Sequence, residues 1–121
     1  MEQKCCTNGG TRLLYACAGA ADVGELADRA VRKLWSEGFA TKTCLAGIGG
    51  DVSGFVQSAK GADENITIDG CSQACAAKSL ERIGVKPTAF ILGDFGYKKG
   101  KSPVTQETID GVAGTIKEKY S

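Results

Sequence analysis

The chain has 121 residues, 42% hydrophobic and 24% charged, with a formal net charge of +1. That length suits one domain, here residues 1–121, able to bury a core without disulfide staples. Near-balance between 15 basic and 14 acidic side chains argues against nucleic acid or an anionic membrane as partner, and no apolar run reaches the roughly 18–20 residues that span a bilayer.

Residues 1–10 read as a loose lead-in ending in the turn Asn8-Gly9-Gly10. The stretch Met1 to Cys6 lacks the apolar core of a signal peptide, which predicts a cytoplasmic protein. Cys5 and Cys6 lie in this lead-in, and nothing fixes their position. Arg12 to Cys17 is an apolar run that suits a buried strand. Asp22 is placed to cap a helix, with Glu25 three residues on as in a capping box. Val23, Leu26, Ala27, Ala30, Val31, Leu34 and Trp35 form its apolar stripe. Arg29, Arg32 and Lys33 fall on the solvated side, and Gly38 ends the helix.

Thr41 to Ala46 reads as a second strand, followed by Gly47-Ile48-Gly49-Gly50. Asp51 can cap a short helix carrying Val52, Phe55, Val56 and Ala59, which Gly61 breaks. Ile66 to Ile68 is a third strand. The turn Asp69-Gly70-Cys71 leads into a helix expected over Ser72 to Ile83. Thr88 to Leu92 is the fourth strand, and Ser102-Pro103 opens a last helix with the stripe Ile109, Val112, Ala113, Ile116 and Tyr120. Four strand-helix units in succession predict a three-layer α/β/α fold with a four-stranded, mainly parallel sheet of the flavodoxin or Rossmann type. Ligands of such sheets bind at the C-terminal ends of the strands, near the switch in strand order.

Cysteines mark those ends. Cys17, Cys44 and Cys71 follow one another at intervals of 27 residues, and Cys75 stands four residues after Cys71. Neighbouring strands lie about 4.8 Å apart. Sulfurs around one tetrahedral zinc lie roughly 3.8 Å apart. Adjacent strand ends therefore bring such thiols near ligating distance. Spacing alone leaves shared ligation and simple packing as open alternatives, because one or two strand-end cysteines are ordinarily small core residues. The chain has no histidine, so a metal site would need thiolates and carboxylates. Thiols at a helix N-terminus also ionise readily, which makes Cys71 and Cys75 a candidate redox or sulfur-handling pair. Cys-x5-Arg phosphate loops are excluded, since Val23, Gly50 and Ala77 stand where arginine is required. Gly47-x-Gly49-Gly50 could approach an oxyanion, but it matches neither Gly-x-Gly-x-x-Gly nor a Walker loop. Asp69 and Asp94 end strands on the same edge, as turn or capping residues or as contacts to a bound group.

Ile68-Asp69-Gly70-Cys71-x-x-x-Cys75-Ala76, preceded by Cys44 to Gly50, resembles the DGC-domain family. That family is described by four candidate zinc-chelating cysteines, which map onto Cys17, Cys44, Cys71 and Cys75. Cys17-Ala18-Gly19-Ala20-Ala21 departs from it, with alanines where serine is expected. The resemblance implies a zinc-binding protein without an established reaction, and an unidentified protein or small molecule as partner.

Overall fold

Both faces of the first strand are apolar, which suits a strand buried between two helical layers. The structure, a computed structural model, describes residues 11–120. The expected lead-in, with Cys5 and Cys6, lies outside the described residues. Strand β1 (Arg12–Ala16) is followed by helix α1 (Asp22–Ser36) and strand β2 (Thr41–Lys42). Helices α2 (Leu45–Gly49) and α3 (Ser53–Gly61) lead to strand β3 (Glu64–Asp69). Helix α4 (Cys75–Arg82), strand β4 (Thr88–Ile91), a 3₁₀ turn (Leu92–Phe95) and helix α5 (Gln106–Glu118) complete the order. The strands are all parallel and lie in the order β2-β1-β3-β4. This is a three-layer α/β/α fold with flavodoxin- or Rossmann-like topology.

The pleat sends alternate residues to opposite layers. Leu14, Ala16, Ile66 and Ile68 face α1 and α5, where Leu26, Ala30, Leu34, Val112 and Ile116 are buried against them. Leu13 and Tyr15 face the other way, onto Ile48, Ala59, Ala76 and Leu80 of α2, α3 and α4. That second face is polar along β3. Asn65 accepts from the Tyr15 hydroxyl at 2.7 Å and donates to the Ala59 carbonyl at 2.9 Å. Burial pushes the Tyr15 phenol upward. Thr67 has no partner for its buried hydroxyl among the described residues.

Several boundaries differ from the sequence expectation. Strand β2 has two residues, because Cys44 becomes the N-cap of α2 and the chain leaves the sheet there. Helix α4 starts at Cys75, three residues later than expected. Ala21, not Asp22, is the N-cap of α1. Asp22 instead accepts from the Val23, Gly100 and Ser102 N–H groups at 2.8, 2.9 and 3.0 Å, tying the loop before α5 onto α1. Helix α5 starts at Gln106, capped by Thr105 in a capping box with Thr108, and not at Ser102-Pro103.

Candidate functional site

The strand order reverses between β1 and β3, the usual place for a ligand in this fold. Main chain fills it here. A Cβ on Gly70 would lie 2.7 Å from the carbonyl carbon and oxygen of Val23, in the first turn of α1. A Cβ on Gly24 would lie 2.5 Å from the Gly19 carbonyl oxygen. Only glycine permits approaches this close. Gly70 N–H also donates to the Cys17 sulfur at 3.3 Å, so this thiol faces backbone across the switch point.

Asp69 is nearly fully buried. Its two oxygens accept from the Ala76 and Ala77 N–H groups at 2.8 and 3.1 Å, the second and third residues of α4, whose donors have no partner within the helix. Burial pushes its carboxyl above the ordinary range, against the downward pull of those two bonds. The positive end of α4 is thereby taken by a carboxylate rather than by a thiol. Asp94 stands exposed in the 3₁₀ turn.

The four candidate ligands do not converge. Cys17 and Cys71 are partly buried, while Cys44 and Cys75 are exposed. Ala74 N–H closes a turn onto the Cys71 carbonyl at 3.0 Å, and Ala74 itself is left-handed at φ 52°. Cys75 therefore does not stack one helical turn above Cys71. Among the described residues no group of three or more cysteine, histidine, aspartate or glutamate side chains comes together that could hold a metal ion. The expected zinc cofactor, four-cysteine cluster and zinc-binding function are corrected on this finding. The equal 27-residue spacing misled because the thiols sit at different heights. Carried on from the strand register, Cys44 is level with Ala16, Cys17 lies one residue beyond that level and Cys71 three residues beyond it. Gly47 lies inside α2, and a Cβ there would collide with the Phe55 ring, so this glycine seats an aromatic ring.

Two of the four cysteines do share a space. Beyond Thr43, whose N–H donates to the Leu14 carbonyl at 3.0 Å, the chain turns into α2 and a cleft opens beside the outer end of β1. Its volume is about 850 Å³, and Cys17, Cys44, Arg32, Lys42, Trp35 and Phe55 are on its walls. Arg32 is paired with Asp28 at 3.0 Å, and Asp28 also lines the cleft. Lys42 has no ion pair among the described residues, so it supplies the uncompensated charge. Trp35, 48% exposed, is the chain's single tryptophan. The sequence placed Trp35 on the buried stripe and Arg32 on an idle face. The available signal was Trp35's position at the border of the stripe, in the last turn of α1.

The DGC domain profile matches residues 13–116, and the chain belongs to the DGC-domain family. A curated relative is the anaerobic and virulence modulator AnvM of Pseudomonas aeruginosa, 36% identical over 88 residues, spanning 72% of this chain and 67% of that protein. No solved structure matches the chain. Among the described residues no helix is long and apolar enough to cross a membrane.

Proposed function

We propose that the chain is a binding module for a small anionic molecule with a planar apolar part, held in the cleft beside β1. The observation that carries this is Lys42, a cation without an ion-pair partner among the described residues, on a wall shared with Trp35 and Phe55. An ammonium in a concave site attracts anions, and aromatic faces take a flat apolar body. Free thiols on the same walls fit a cytoplasmic setting, where they stay reduced. The modulator role in the Pseudomonas relative's name suits a protein that acts through what it binds.

Because Trp35 is the only tryptophan, its indole N–H resonance reports on the cleft alone. Benzenesulfonate and benzoate are expected to shift it, while benzylamine, of similar size and opposite charge, is not. Lys42→Gln should weaken the anion response roughly fivefold or more. An indole resonance that ignores all three compounds, or follows benzylamine equally, would refute the proposal.

A further inference from the structure

The cleft holds two thiols of different character. Cys17 is partly buried and its sulfur already accepts the Gly70 N–H. Cys44 is exposed. It precedes α2 in extended backbone, at φ −95° and ψ 109°, two residues after Lys42. Residues two apart in an extended segment point to the same side, and both line the cleft. An exposed cysteine thus shares the cleft with Lys42, which has no ion pair among the described residues, and with Trp35 and Phe55. Cys75 is equally open but is absent from these walls.

We infer that Cys44 is a thiol–disulfide exchange site selective for small anionic disulfides, the anion-binding cleft supplying the selectivity. This rests on the function proposed above and names the reactive ligand class. In the step, the Cys44 thiolate attacks one sulfur of a disulfide R–S–S–R. The bond between the two R–S halves breaks, and a new S–S bond joins Cys44 to one half. The other half leaves as a thiolate and takes up the proton that Cys44 gave to solvent. The Cys44 sulfur is oxidised, the released half is reduced, and no other oxidant enters. Lys42 raises the local concentration of an anionic disulfide and repels a cationic one. Cys17 contributes a wall and not the attacking sulfur, because it is partly buried and a disulfide reaches it less readily than it reaches exposed Cys44.

The test uses the full chain with oxidised glutathione, an anion, and cystamine, a dication. Each rate is divided by that of a free cysteine peptide, and the modified residue is identified by peptide mass mapping. Cys44 is expected to favour oxidised glutathione roughly tenfold, and Cys75 to show no preference. Lys42→Gln should erase the preference at Cys44 and leave Cys75 unchanged. Equal rates of the two disulfides at Cys44, or the same preference at Cys75, would overturn the inference. S-methylglutathione, which cannot exchange, separates the two levels. If it moves the Trp35 resonance while Cys44 shows no charge preference, the exchange inference falls and the binding function stands. If it leaves Trp35 unmoved while benzenesulfonate moves it, the exchange inference falls and the binding function stands; if neither moves Trp35, both fall.

Discussion

At Asp69-Gly70-Cys71 three consecutive residues have three separate tasks. Asp69 satisfies two donors at the start of α4, Gly70 admits the first turn of α1, and Cys71 opens the turn that Ala74 closes. The tightest constraint is on Gly70. An alanine methyl there would meet backbone atoms of Val23 at 2.7 Å, and backbone cannot rotate away as a side chain can. Gly70→Ala should therefore destabilise the fold by about 1–3 kcal/mol, as overpacking does. It should also loosen the Gly70 N–H contact to the Cys17 sulfur. Gly114→Ala is the control, since nothing lies within 4 Å of a Cβ there. Denaturant unfolding of both variants checks this, and an unchanged midpoint for Gly70→Ala would show that α1 can shift freely.

At the scale of elements, the two helical layers are fastened differently. The layer of α1 and α5 is held from outside by carboxylates. Glu37 reaches Lys33 and Lys117 at 2.9 and 2.7 Å, Asp110 reaches Lys33 at 3.2 Å, and Asp22 holds the loop before α5. Hydrogen bonds from those partners, Lys117 before Lys33 for Glu37 and Gly100 before Ser102 for Asp22, keep these carboxyls below their usual range. Asp110 is also lowered, first by Gln106 and then by Lys33. A depressed carboxyl supports the fold above its unfolded pKa, and that support is lost as pH falls through the folded value. Asp69, raised by burial, behaves oppositely, since acid protonates it in the native state first. Amide exchange should then rise around Gly100, Ser102 and α5 below about pH 4, before it rises in α4. Earlier loss in α4 would refute this. The apolar stripes of α1 and α5 were legible because a helix buries one face at a fixed period. The fastenings were not, because Asp22 and Ser102 are 80 residues apart and no local pattern joins them.

For the whole molecule, the alternation of strand and helix was enough to reach a parallel three-layer fold, since few arrangements bury both faces of such a sheet. The site was less legible. Spacing along the chain does not fix height above the sheet, so evenly spaced Cys17, Cys44 and Cys71 suggested a cluster that does not form. The cleft instead arises where β2 stops after two residues. That short strand also bears on the order of folding. β1 has two registered partners in β2, its near neighbour in sequence, and five in β3, about 50 residues away. A nucleus made of β1, α1 and β2 alone would have little pairing to hold it, so the rate-limiting step must include the long loop closure to β3. Ile66→Val, in the middle of that pairing, should slow refolding and leave unfolding nearly unchanged, with a stability loss of about 0.5–1.5 kcal/mol. Thr41→Gly, in β2, should mainly speed unfolding. Stopped-flow chevrons of the two variants measure both limbs, and the opposite partition would place the nucleus at the β2 side of the sheet.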